Sequence, residues 1–194
     1  MSDPAVGDLA RGQAFLFGGL VACAVVDPGG LTANHGISYY GVHVDTVPIL
    51  AVALLGAAWF TRRGLRRLAD QTPAAEFVRH SGTAFALLLA GIVVTPYTVA
   101  AVVDWTHRGL GAALFILQLV LGIRLVAWTR DTLAGAYWAI QLLGGIVSAY
   151  YVLRVNGYLL ETQLLFQLGF GALTLRTARL LTARDTDQEC ESVS

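Results

Sequence analysis

The 194-residue chain contains no lysine; all thirteen of its basic residues are arginine. That absence excludes a retinal Schiff base and every other lysine nucleophile. It also excludes the P-loop lysine, and no glycine-rich phosphate loop appears. Charge of either sign is scarce, at 13 % of residues against about 25 % in a typical soluble domain. Arginines and acids cancel to a formal net charge of zero, so no nucleic-acid partner is expected. Only two cysteines are present. Cys23 lies inside the first apolar run and Cys190 in the polar terminal segment, so no disulfide is expected. Cys190 also stands one place too early for a prenylation box.

What fills the space is apolar: 56 % of residues are hydrophobic. A soluble protein of this size has too little interior to hide that surface, whereas a bilayer hides it readily. Crossing a hydrocarbon core takes about 20 apolar residues in a helix. Six stretches qualify, at about 13–28, 44–60, 77–103, 110–128, 133–153 and 158–175. The first is short, as the core of a cleaved signal peptide is. Its leader carries Asp3 and Asp8 beside Arg11 and no small-x-small site follows, which predicts a retained helix. The expected fold is therefore all-α, a six-transmembrane-helix bundle over residues 1–184. The acidic segment 185–194 is expected to be a disordered tail.

Arginine placement predicts the orientation. Arg62, Arg63, Arg66, Arg67, Arg130, Arg176, Arg179 and Arg184 fall on one side, against Arg108 and Arg154 on the other. The positive-inside rule then puts both termini in the cytoplasm of a cell-membrane protein. The Arg62–Arg67 cluster doubles as a contact for anionic lipid, at about 1 kcal/mol per arginine near the surface.

Polar residues with chemical potential concentrate on the predicted outer side. The loop from Asp27 to Asp45 has no arginine, and it offers Asn34, His35, Ile37, Ser38, Tyr39, Tyr40 and Asp45 to a ligand or partner. Gly29, Gly30, Gly36 and Gly41 permit tight turns, while Ile37, Tyr39 and Tyr40 call for burial. An ordered cap over the bundle is the expectation. His35, His43, His107 and Asp104 share this side, and imidazole with carboxylate is a ligand set for zinc or another divalent ion. Their spacings match no standard metal motif. Two haems held by histidine pairs are not expected, because only His80 falls near the inner face. Within the spans, Gln118, Gln141, Gln163 and Gln167 read as interhelical glue. Gly144-Gly145 and Gly169-x-Gly171 read as sites of close helix approach. Pro96 is expected to kink the third span.

The string Gly36-Ile37-Ser38-Tyr39-Tyr40-Gly41 directly follows the first of six spans. It resembles the signature of the DRAM/Frag/Sfk superfamily, whose members typically carry Pro-x-Ile-Ser-Asp-x-Gly there. Ile37, Ser38 and Gly41 match; Tyr39 replaces the acidic residue, and the proline is missing. The resemblance implies a small six-helix bundle with inner termini, linked to lipid or membrane-signalling roles and without an agreed catalytic site.

These readings favour a non-enzymatic membrane scaffold or sensor whose outer loop contacts lipid, a ligand, a protein partner or a second copy of the chain. Two alternatives stand beside it. One is a metal-dependent membrane enzyme or redox protein built on the histidines, the other a small transporter or channel.

Overall fold

Asp3 opens the first helix by accepting the backbone N–H groups of Ala5 and Val6, with Pro4 at the first helical position where a missing donor costs nothing. In the computed structural model, which describes residues 3–32, 35–154 and 158–193, six α-helices follow in sequence. They are α1 Pro4–Val26, α2 Val47–Ala69, α3 Ala75–Val94, α4 Ala101–Thr129, α5 Thr132–Arg154 and α6 Leu159–Val193. Two short 3₁₀ segments, Pro28–Leu31 and Gly36–Gly41, lie between α1 and α2. No strand occurs among the described residues.

Four helices, α1, α3, α4 and α5, are long and apolar enough to cross a membrane. Large apolar side chains stay exposed around the bundle, among them Val52, Leu87, Ile116 and Ile146. In water such a perimeter would be a liability; in lipid it is the expected surface.

Several boundaries differ from those the sequence predicts. The first span is not short: Asp8 and Arg11 lie within α1 because the polar groups there find partners. The α2 helix begins at Val47, not Val44, and carries all four clustered arginines in its last turns instead of in a loop. Pro96 does not kink a helix; it ends one. Thr95 leaves helical geometry at φ −118° and ψ 68°, as the residue before a proline tends to do. Residues 95–100 form a connection, so Asp104, Trp105 and His107 belong to the first turns of α4 and not to a loop. The α6 helix runs past Asp185 to Val193.

Close approach holds neighbouring helices together. A Cβ on Gly19 would fall 2.1 Å from that of Ala53, and one on Gly12 2.6 Å from the Thr61 hydroxyl, so α1 packs directly on α2. Gly144 and Gly169 do the same for α5 and α6. Between α4 and α6, Gln118 and Gln167 exchange amide hydrogen bonds of 3.0 and 3.3 Å. The glue reading thus holds for this pair. Gln141 is fully buried with neither amide atom hydrogen-bonded.

At the end of the bundle where α4 turns into α5, Asp131 accepts from Ala134 N–H at 2.8 Å and from the Arg176 guanidinium at 3.1 and 2.9 Å. The arginine, and then the helix-cap bond, hold its carboxyl well down, at about 2. A depressed carboxyl contributes stability that is present above its unfolded pKa and lost as pH falls towards the folded one. Thermal stability of wild type is therefore expected to drop between about pH 4 and pH 2, with Asp131→Asn flattening part of that slope.

Candidate functional site

The segment between α1 and α2 is an ordered cap, built from its backbone upward. Asp27 ends α1, then turns back to accept the Gly29 N–H at 3.0 Å. Gly36 starts the second 3₁₀ segment with φ +60°, a conformation glycine adopts without strain. A Cβ there would also meet the Gln163 side chain at 2.3 Å. That side chain, on α6, accepts the Ile37 N–H at 2.8 Å and ties the cap to the last helix. Thr46 donates to the Tyr40 carbonyl at 2.8 Å and ties it to α2. Tyr40 is buried beneath Gly30, whose missing side chain leaves room for the ring. We refer to this end of the bundle as the cap end and to the opposite one as the arginine end.

The Tyr40 hydroxyl is buried with no hydrogen-bond partner. An orphaned hydroxyl costs about 1–3 kcal/mol, so Tyr40→Phe is expected to match or exceed wild type in thermal unfolding. Tyr40→Ala should instead lose about 3–5 kcal/mol, the range for emptying a buried aromatic site, and expose the cap to limited proteolysis.

Tyr39 and the histidines are placed by ring contacts. Tyr39 stacks on His43 at 3.9 Å, and the His43 Nδ1 lies 2.8 Å from the Tyr39 carbonyl. Burial, then the hydrogen bond to Asp27, pushes the Tyr39 hydroxyl up from its ordinary pKa. His35 stacks on Tyr97 at 5.4 Å, and His107 lies 5.9 Å from the same ring. His107 joins the cap directly, its Nε2 lying 2.9 Å from Ser38 Oγ. Its Nδ1 lies 3.5 Å from Thr95 Oγ1.

Most of the residues read from sequence therefore gather at one end of the bundle, but not as a ligand set. His43 is taken up by Tyr39, the Tyr97 ring contacts both His35 and His107, and Asp104 is held by Arg108 at 2.9 Å. Among the described residues, no three His, Cys, Asp or Glu side chains converge as a metal would require. Asp45 is exposed, and Asn34 lies outside the described residues.

Beside the cap runs a narrow cleft. Ile37, Leu50, Leu54, Ile92 and Pro96 supply apolar walls; Ser38, Tyr97 and His107 supply polar groups. Leu54 lies about two turns below the start of α2, so the cleft reaches roughly 10 Å from the cap into the bundle. Tyr97 and Gln163 are central here, and sequence reasoning missed both roles. The available signal for Tyr97 was the Thr95-Pro96 helix break, which brings the following residues to the cap. Gln163 gave no such signal, because a glutamine in an apolar helix looks the same whether it binds a helix or a loop.

At the arginine end, α2 turns its cluster towards the N-terminus of α1. Asp8 is fully buried, and its Oδ2 lies 2.6 Å from Arg67 and 3.1 Å from Arg63. Arg11 reaches Oδ1 at 3.4 Å. Trp59, Arg62, Arg63, Arg66, Arg67 and Asp70 line an open cavity of about 390 Å³. No family model, curated protein or solved structure matches the chain.

Proposed function

We propose that the protein is a six-span membrane sensor or scaffold, non-enzymatic, whose cap receives an amphiphile. The cleft between α2 and α3 holds only about 40 Å³, so the two helices must part to admit the ligand's apolar chain, while its polar part meets Ser38, Tyr97 and His107. The cleft is the observation that carries this reading: apolar walls descending into the bundle from a polar cluster at the cap. Small-molecule sites combine apolar walls with a few polar groups in this way, in volumes of roughly 300–1,000 Å³ that this cleft reaches only by opening.

The six-span count rests on α2 and α6 as well as the four more apolar helices. Both leave apolar side chains exposed on the perimeter, Val52 and Leu55 from α2 and Leu165 and Leu168 from α6. Their arginines crowd towards one end, from which long side chains reach the headgroups. With the arginine end cytoplasmic, the cap faces outward. A cysteine placed at exposed Val44 in a Cys23→Ser/Cys190→Ser background is then labelled by an impermeant maleimide from outside intact cells. Labelling only after lysis would reverse the orientation.

The cleft itself is tested with a photoreactive lysolipid and the protein in nanodiscs. Crosslinks are expected to concentrate on peptides carrying the cap and the start of α4, and Leu54→Trp should suppress them. Labelling spread evenly around the perimeter, indifferent to that substitution, would sink the proposal.

One observation favours a second reading. A serine oxygen 2.9 Å from an imidazole nitrogen has the separation of a nucleophile and its base. The other ring nitrogen faces Thr95, however, and Asp104 is already paired with Arg108. Among the described residues no carboxylate hydrogen-bonds this imidazole. Fluorophosphonate labelling of Ser38, lost in His107→Gln, would favour this enzymatic reading over the binding one.

A further inference from the structure

The arginine end carries a charge imbalance that the fold does not resolve. Arg62 and Arg66, and likewise Arg63 and Arg67, are four residues apart on α2, so like charges sit one helical turn from each other. Asp8 answers only one pair, Arg63 and Arg67. Asp70, the carboxylate on the cavity wall, is engaged by Arg79. Among the described residues no carboxylate pairs with Arg62 or Arg66. The Arg62 Nε is buried without a hydrogen-bond partner. Arg62 and Arg66 both line the cavity of about 390 Å³, which Trp59, 59 % exposed, also lines.

Guanidinium forks match phosphate oxygens in geometry and charge. A largely exposed tryptophan next to them suits the headgroup layer, where an indole lies half in hydrocarbon. We propose that this cavity binds the phosphate of an anionic lipid headgroup, with Arg62 and Arg66 as its ligands. Arg63 and Arg67 line the same cavity but are paired with Asp8. A lipid and not a free anion is favoured because the cavity is open and a largely exposed tryptophan forms part of its wall. The inference is independent of the cap cleft, which lies at the opposite end of the bundle.

The test titrates the purified full-length protein in detergent with short-chain phosphatidic acid, phosphatidylcholine of equal chain length, or inorganic phosphate. Binding is read by native mass spectrometry. Phosphatidic acid is expected to bind best. Arg62→Gln/Arg66→Gln should weaken it about 10- to 30-fold, from the usual contribution of two arginines at a membrane surface. Arg62→Lys/Arg66→Lys keeps both charges but loses the forks, so its affinity should fall between wild type and the glutamine variant, which separates loss of charge from loss of fold. Equal binding of phosphatidylcholine would overturn the proposal. So would inorganic phosphate matching the lipid, an unchanged affinity in the glutamine variant, or a lysine variant as weak as the glutamine one.

Discussion

Replacing Arg63 and Arg67 together by glutamine is expected to destabilise the protein by about 3 kcal/mol, the lower end of the cost of stranding a buried charge. Asp8 has no exposed surface, whereas the two arginine side chains are 49 % and 36 % exposed. The arrangement is therefore asymmetric. Remove the arginines and the carboxylate is left inside with only Arg11, at 3.4 Å, to answer it. Remove the carboxylate and the arginines turn to water. Asp8→Asn alone should accordingly cost only about 1 kcal/mol, the net worth of a hydrogen bond or two.

The decisive measurement is the triple variant Asp8→Asn/Arg63→Gln/Arg67→Gln. It should unfold at a higher temperature than the double arginine variant, because the stranded charge is gone. Altered membrane insertion could also lower the stability of the arginine variant, but Asp8→Asn would not repair that. If the triple variant is no better than the double, the α1–α2 contact does not depend on this charge network.

Gly144→Leu and Gly169→Leu are each expected to lower stability by about 3 kcal/mol or more, the upper range for overpacking. A Cβ at either position would come within 2.6 Å of backbone nitrogen on the facing helix, Phe166 N for Gly144 and Gln141 N for Gly169. Backbone does not step aside as a flexible side chain does, so α5 and α6 must separate. Loss of that contact also removes the 2.9 Å hydrogen bond between Ser148 and Thr162. The matched control is Gly109→Ala/Gly111→Ala on α4, where a new Cβ meets nothing within 4 Å. That pair should be neutral or gain about 0.5–1 kcal/mol per site from reduced backbone entropy. Resistance to unfolding in graded SDS orders the variants. Equal loss at all four glycines would show that helix propensity and not interhelical distance governs them.

Periodicity and composition carried much of the architecture, and particular residues show why. Apolar runs located all six helices, since hydrophobicity over 20 positions is a sum that survives local irregularity. Boundaries fared worse where one group's partner decided the matter. Asp8 and Arg11 looked like leader residues, yet α1 contains them because arginines from α2, more than fifty positions away, compensate the carboxylate. Pro96 was visible as a disturbance, but whether it bends or ends a helix depends on what its neighbours meet afterwards. Here Tyr97 finds His35 and His107, and the chain leaves the helix.

The chain by itself thus determined a helical protein rich in apolar spans, the absence of lysine chemistry, and a polar, glycine-rich segment set apart from a plain bundle. Those are properties of local composition and need no knowledge of distant contacts. Only the tertiary structure decided how the cap expected of this segment is tied to α2 and α6, and that the histidines there face tyrosines and a serine instead of one another. It also decided that two of four clustered arginines are already occupied. Each of these depends on which side chains meet across the bundle. Pairing between residues tens of positions apart is fixed by packing, and no spacing along the sequence encodes it.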